Sequence, residues 1–275
     1  MTDDRVWGDE GVFRPRELGQ PSRTAGEPWR LDGVADVPDT VVDAARVGTL
    51  EVRAASSRGA KHRVNGKVRQ DAMSVAELGG RFVLIAVADG AAGASHAHRG
   101  AHLAVRHAVG YLAWALPGSD LDVVDMAGAL RAADRALREA GPNPETRRTT
   151  LTVAAVELGW TGKGHRYRAA RIGDSPAMVL TDGVFLPLFG KRGAAGDCLP
   201  TPRGPADGVR GVLRPGEALV VASAGVGTPV RESPVGAYLA ESWVRPPGPV
   251  AFLHQLQFDL RAFDEDRTAV VVWAR

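Results

Sequence analysis

The chain has 275 residues, one cysteine, 44% hydrophobic residues and a formal net charge of +2 at pH 7. This length suits one large domain or two small ones, and the small charge argues against nucleic acid or a membrane surface as a partner. The single Cys198 excludes an internal disulfide and any zinc site built from several cysteines. Because the N-terminus is acidic and no apolar run reaches the ~18 residues of a membrane helix, we expect a cytoplasmic protein.

Residues 1–45 are predicted to form an extended or partly ordered leader, because prolines, glycines and scattered charges occur there without sustained periodicity. The folded domain is expected to span 46–275. It begins with strand patterns at 50–56 and 73–78, and Gly79 and Gly80 give a hairpin-turn signal before the apolar run at 81–88.

Two helices are predicted next. Apolar residues recur at helical spacing from Ala101 to Leu116. A second helix has candidate caps at Ser119 and Asp120, and the Gly-Pro pair at 141–142 ends it.

The second half of the chain is rich in strand patterns. A Gly- and Pro-rich loop is predicted at 191–208, and the short helical patterns lie at 233–243 and 251–263. The predicted strands are 150–158, 165–172, 177–180, 184–188, 217–223 and 268–274. Strict alternation of strands and helices, which would indicate a parallel sheet, is absent. The order therefore predicts an α+β fold with antiparallel sheets.

Acidic residues flank four of the predicted strands, at Asp71, Asp89, Asp174 and 264–266. One Asp at a strand end is usually a turn or cap residue. Strand ends can converge, however, and four such corners predict a carboxylate cluster whose mutual repulsion calls for a cation. Oxygen-only ligands suit Mg²⁺ or Mn²⁺ rather than Zn²⁺, and Gly90 lets a backbone carbonyl approach a metal closely.

Six segments in series carry a resemblance to a known family. They read GAKHRVNGKVRQDAM, VLIAVADGAAGASHAHRGAHLAV, RRTTLTVAAV, RIGDSPAMVL, VVASAGVGT and DEDRTAVVV. In order and spacing, over roughly 50–275, they resemble the metal-dependent Ser/Thr protein phosphatases, the PPM or type 2C family. The resemblance implies a β-sandwich of two antiparallel sheets flanked by helices on both faces. It also implies two Mn²⁺ or Mg²⁺ ions, or fewer, that activate a water for attack on phosphoserine or phosphothreonine.

The resemblance also implies roles for individual residues. Asp89 and Asp71 would be catalytic, with Asp89 bridging the metals and Asp71 in or just behind the metal's coordination shell. Gln70 stands where the family more often has Glu. The full implied metal set is Asp89, Gly90, Asp71, Glu265 or its neighbour Asp266, and Asp174 for a third, looser ion.

The family pattern breaks at several positions. Ala224 replaces the metal-binding Asp of a Ser-Asp-Gly motif, Thr228 replaces a second acidic residue, and Gly66 replaces the phosphate-binding Arg. The nearby candidates for phosphate binding are Arg69, Arg63 and His62, with Lys67 as a further substitute. His96 and His98 could fill in as ligands, and His98 and His102 have the i,i+4 spacing of a metal pair, although such residues more often lie on an ordinary helix face.

These residues leave three hypotheses for function. The first is a cytoplasmic signalling enzyme, a protein-serine/threonine phosphatase with a weakened or altered metal site. The second is a catalytically impaired pseudophosphatase that acts as a binding or regulatory module. In both, the partner would be a phosphorylated protein substrate or a Ser/Thr kinase, without nucleic acid or membrane, and the chain would be a monomer. In the third, all four acidic corners are caps and the protein has no site.

Overall fold

The computed structural model describes residues 15–24, 27–30, 37–159, 162, 164–190, 197–200 and 206–275. Two antiparallel sheets stack on each other, and helices pack on both outer faces, so the predicted fold class is confirmed. The six-stranded sheet has the order β1-β2-β11-β10-β7-β8 and the five-stranded sheet the order β3-β4-β5-β6-β9.

The bounds of the strands follow the chain from residue 40 to residue 274. They are β1 Thr40–Val47, β2 Leu50–Ser57, β3 Ala72–Leu78, β4 Phe82–Ala88, β5 Leu151–Glu157, β6 His165–Ile172, β7 Ala177–Thr181, β8 Val184–Pro187, β9 Asp207–Leu213, β10 Ala218–Ala222 and β11 Arg267–Ala274. Each pairs with its sheet neighbours in antiparallel register.

The helices divide between the two outer faces. Helices α2 (Ala97–Ala115) and α3 (Met126–Glu139) cover the five-stranded sheet, while α4 (Ala224–Glu232), α5 (Val235–Ser242) and α6 (Pro249–Leu256) cover the other. A short α1 (Ala60–Val64) links β2 to the segment before β3. Within the described ranges no helix combines the length and the apolar character needed to cross a bilayer.

Strand β4 shows how the layers are held together. Its residues Leu84 and Ala86 pack against α2 and α3, while Val83, Ile85 and Val87 pack between the two sheets. All seven of its residues are buried. A strand covered on both faces has no reason to alternate polar and apolar residues, which explains the continuous apolar run in the sequence.

The structure corrects several sequence predictions. Strands β1 and β9 and helices α1 and α4 were not predicted, and residues 40–45, placed in the leader, belong to β1. Most of β1 is exposed, so it carries no apolar pattern. Strand β9 contains Gly211, and a Cβ at this position would lie 2.4 Å from the Tyr167 hydroxyl. Close packing therefore requires a glycine here, and this glycine weakened the strand pattern in the sequence. Helix α6 ends at Leu256 rather than at 263.

Helix α3 begins later than its predicted caps. Asp125 is the N-cap, and its Oδ1 accepts a hydrogen bond from the Gly128 amide at 2.9 Å. Asp120 instead pairs with Arg166 at 3.1 Å. The predicted caps Ser119 and Asp120 therefore lie in the connection between the helices.

The described part of the leader packs against the domain. The Leu18 amide donates to the Asp259 carbonyl at 3.0 Å, and the Trp29 ring lies 4.0 Å from the Arg63 guanidinium. Asp39 then accepts two hydrogen bonds from Arg63, at 3.0 and 2.7 Å, and its Oδ2 lies 2.9 Å from Arg58 Nε. This carboxylate neutralises two buried arginines, one just before α1 and one within it. Residues 1–14 of the predicted leader, like much of the 191–208 loop, lie outside the described residues.

We expect Asp39→Ala to lower the free energy of unfolding by about 2 kcal/mol, because it leaves the buried Arg58 and Arg63 without their shared carboxylate. Asp43→Ala, at an exposed position of β1, is the matched control and should change stability by less than about 0.5 kcal/mol. Urea unfolding of the three proteins measures both values. Equal losses in the two variants would contradict the role given to Asp39.

Candidate functional site

A cleft of about 980 Å³ opens at one end of the sandwich. Its lining includes residues just before β3, β5 and β11 and just after β4, β6 and β10. In antiparallel sheets the start of one strand lies beside the end of the next, so these segments meet at one edge. The structure thus brings the acidic corners at Asp71, Asp89, Asp174 and 265–266 into one cleft.

Asp89 lies on the floor of this cleft, directly after the buried β4. Its carbonyl accepts hydrogen bonds from the Thr150 amide and the Thr149 hydroxyl, each at 2.9 Å, which fixes its backbone. Its Oδ2 accepts a hydrogen bond from the Ala224 amide at 3.1 Å, at the start of α4. Burial, followed by the negative charges of Asp71 and Asp174, raises the pKa of Asp89 well above its usual range.

Gly90 is required for a reason that differs from the expected one. A Cβ at this position would lie 2.8 Å from the Gln70 carbonyl oxygen and 2.9 Å from the Ala97 Cβ. The close approach of the Gln70 backbone therefore excludes a larger residue here, whether or not a metal is bound.

Asp266, predicted as a metal ligand, has hydrogen bonds on both carboxylate oxygens. Oδ1 accepts from the Gly59 amide at 2.7 Å and lies 2.9 Å from His62 Nδ1, and Oδ2 accepts from the Gln70 amide at 2.5 Å. Asp266 is only 4% exposed. It therefore ties the start of β11 to α1 and to the segment before β3.

Asp71 lies close to Asp266 and is 1% exposed. Its Oδ2 accepts a hydrogen bond from the Thr268 hydroxyl at 2.8 Å. Burial, together with the negative charge of Asp266, raises the pKa of Asp71 to about 7, although hydrogen bonds from Ser223 and Thr268 and the Arg69 charge oppose the rise. The negative charge of Asp71 in turn raises the pKa of Asp89, so two carboxyl groups with raised pKa values line the cleft.

The structure shows where the three residues predicted to bind phosphate lie. Arg69 is 2% exposed and donates to the Ser56 hydroxyl at 2.6 Å and the Asp71 carbonyl at 2.8 Å. Arg63 is held by Asp39, as described above. Neither arginine is among the residues that line the cleft, and His62, which does line it, is bonded to Asp266. Spacing from Asp71 placed these residues nearby but did not show which way they point.

The remaining predicted ligands differ in setting. Glu265 lines the cleft but is paired with Lys61, with an Nζ–Oε1 distance of 3.2 Å between two exposed side chains. Asp174 lines the cleft and acts on Asp89 through its charge. Among the alternative histidines, the described lining includes His98, whereas His96 and His102 lie outside it.

Asp71, Asp89 and Asp174 supply carboxylate oxygens to the cleft, the ligand type that Mg²⁺ and Mn²⁺ prefer. No three His, Cys, Asp or Glu side chains in the described ranges are close enough together to form a metal-binding group. The methyl group of Ala224 and the amide of Gln70 supply no carboxylate where the family resemblance called for one. Burial and the negative charges of Asp71 and Asp174 raise the pKa of Asp89, and a cation would offset those charges.

The cleft also contains residues that the sequence analysis missed. Arg148, Thr150, Asp197 and Cys198 all line it. Asp197 and Cys198 come from the Gly- and Pro-rich loop, which has no periodicity to place it. Arg148 directly precedes the TTLTV strand pattern. Its position at the start of a predicted strand, like that of Asp71, was the signal that could have placed it in the cleft.

Comparisons with known proteins agree with the fold. The sequence profile of the protein phosphatase 2C family matches residues 58–257. No curated protein matches the sequence. Among solved structures, the catalytic domain of PstP in complex with two manganese ions is 22% identical, with 81% of this chain and 97% of that one covered and a TM-score of 0.55. The phosphatase MsPP from Mycobacterium smegmatis is 18% identical (88% and 100% covered, TM-score 0.53). RsbX in complex with magnesium is 10% identical (84% and 98% covered, TM-score 0.56).

The raised pKa of Asp71 predicts how stability depends on pH. A carboxyl group with a pKa near 7 in the folded state and 3.8 when unfolded binds more protons when folded, so stability falls as the pH rises through this window. Without added metal, we expect the free energy of unfolding to decrease from about pH 5 to about pH 8. Asp71→Asn keeps an acceptor for Thr268 and should flatten this decrease. An unchanged slope, measured by urea unfolding at several pH values in EDTA, would contradict the assignment.

Proposed function

The chain belongs to the protein phosphatase 2C family, and we propose that its cleft hydrolyses phosphoserine and phosphothreonine in proteins with the help of a divalent cation at Asp89. The observation that supports this proposal is that Asp71 and Asp89 both line the cleft, where burial and neighbouring carboxylates raise the pKa of each: Asp266 acts on Asp71, and Asp71 and Asp174 act on Asp89. Such a pair is costly for the fold unless a cation occupies the cleft.

The cation would be Mn²⁺ or Mg²⁺, since the available ligands are oxygens. Asp89 and the Gly90 carbonyl would hold it, with Asp174 nearby. A bound divalent cation supplies a more acidic water and stabilises charge on phosphoryl oxygens. The protein positions Asp89 through hydrogen bonds from Thr149 and Thr150 to its carbonyl and through the buried β4 that precedes it.

Hydrolysis at this site should be slower than at a complete two-metal site. Ala224 removes one carboxylate, and loss even of an indirect partner of a metal ligand typically costs 10–100-fold in affinity or activity. Glu265 could contribute only after it exchanges its partner Lys61, an exposed and therefore weak ion pair.

A second candidate function is a pseudophosphatase that binds a phosphorylated protein without turnover. The Ala224 amide favours it, because this N–H donates to Asp89 Oδ2 at the N-terminus of α4 and partly offsets the carboxylate's charge without a metal. Under either candidate we propose a monomeric cytoplasmic signalling protein whose partner is a phosphoprotein or a Ser/Thr kinase.

Millimolar Mn²⁺ should raise the melting temperature by about 3 °C or more if the cation binds only the folded chain. Asp89→Ala should abolish this shift, and Glu139→Ala, at an exposed position at the end of α3 and outside the described cleft lining, should retain it. Differential scanning calorimetry with and without Mn²⁺ measures the shift. An identical response in the wild type and Asp89→Ala would exclude a cation at Asp89.

Restoring the missing carboxylate tests turnover directly. We expect Ala224→Asp to raise kcat/KM on a phosphothreonine peptide by about tenfold or more in Mn²⁺, and the double variant with Asp89→Ala to lose that gain. A wild type without Mn²⁺-dependent hydrolysis of either the peptide or an aryl phosphate would favour the pseudophosphatase. Fast wild-type hydrolysis that Ala224→Asp leaves unchanged would show that position 224 does not limit the reaction.

A further inference from the structure

We infer that Arg148 binds the phosphoryl group of a phosphorylated protein in this cleft, in place of the two buried arginines. The inference rests on the proposed function, in that both place a phosphorylated side chain here. It concerns recognition of the phosphoryl group, which either an active or an inactive cleft would need.

The backbone of Arg148 is fixed beside the Asp89 corner. Its carbonyl accepts a hydrogen bond from the Ala91 amide at 2.9 Å, and the next residue, Thr149, forms a β-bridge with Gly90. The Thr149 hydroxyl also donates to the Asp89 carbonyl. The Arg148 side chain thus leaves a rigid backbone within the cleft wall, which limits the entropy lost when it binds a ligand.

The positive charge of Arg148 reaches the interior of the cleft. Burial raises the pKa of the Cys198 thiol, and the Arg148 charge opposes this rise, whereas Asp174, Asp197 and Asp89 add to it. Arg148 and the acidic corner therefore act on the same buried atom. Because the backbones at 148–149 and 89–91 are paired in the cleft wall, an anion that contacts Arg148 would also be close to a cation held at Asp89.

The other cations of the cleft are less suited to this role. Lys61 is paired with Glu265, and His62 with Asp266. Lys67 lines the cleft with an exposed side chain and presents a point charge. Arg148 is one-third exposed, and its guanidinium can bind two phosphoryl oxygens at once.

The ion pair between Arg148 and Glu145 is weak enough for a ligand to replace it. Its Nε lies 3.6 Å from Glu145 Oε2, and the Glu145 side chain is 67% exposed. Water competes strongly for such a pair, so a phosphoryl dianion can replace it. The carboxylates at 89 and 174 would repel that dianion, and phosphopeptide binding should therefore strengthen when Mn²⁺ is added.

The test compares Arg148→Gln with Arg147→Gln. Arg147 is the adjacent arginine and lies outside the described cleft lining, with its guanidinium 3.4 Å from the Asn143 carbonyl. Titration calorimetry in Mn²⁺ uses one phosphothreonine peptide and its unphosphorylated form. We expect Arg148→Gln to weaken phosphopeptide binding about tenfold or more, Arg148→Lys to recover part of the loss, and Arg147→Gln to bind as the wild type does. Melting temperatures verify that each variant is folded.

The outcomes separate this inference from the proposed hydrolysis. Binding that depends on Arg148 in a wild type without turnover supports the inference and overturns hydrolysis. Turnover whose KM is the same in Arg148→Gln overturns the inference and leaves hydrolysis standing. No phosphopeptide binding by the wild type, or equal losses in Arg147→Gln and Arg148→Gln, also overturns it.

Discussion

The carboxylate of Asp266 is the interaction on which the cleft depends. It binds three donors that are distant from it in the chain. These are the Gly59 amide after β2, His62 in α1 and the Gln70 amide before β3. Strands β2 and β11 belong to one sheet and β3 to the other, so one side chain fixes how the two layers meet at this end. Because it is buried and charged, its three hydrogen bonds are needed to offset the loss of hydration.

The same carboxylate contributes to the acidity of the cleft. Asp266 is committed to structure, and its charge helps to raise the pKa of the neighbouring Asp71. Asp89 receives the Ala224 amide where the family resemblance called for a carboxylate. Part of the charge that metal ions would balance is thus balanced by protein donors.

The sequence could predict the layers and the acidic corner, because antiparallel pairing brings strand starts and strand ends to one edge. It could not predict side-chain direction. Arg63 and Arg69 lie close to Asp71 in sequence, but Asp39 and Ser56 hold them outside the cleft. The sequence likewise left open whether Glu265 or Asp266 is the implied metal ligand, because it does not show which of the two side chains turns inward. Strand β9 was missed because the packing of Tyr167 against Gly211 cannot be read from one sequence.

The position of β2 has a consequence for any shortened version of the protein. The family profile begins at residue 58, but β2 ends at Ser57 and lies between β1 and β11 in the six-stranded sheet. A fragment that begins at residue 58 but keeps the C-terminal end would lose both strands and leave the apolar β11 as an open edge. Unpaired apolar edges recruit strands from other molecules. A fragment with the N-terminal boundary that family similarity suggests is therefore expected to aggregate.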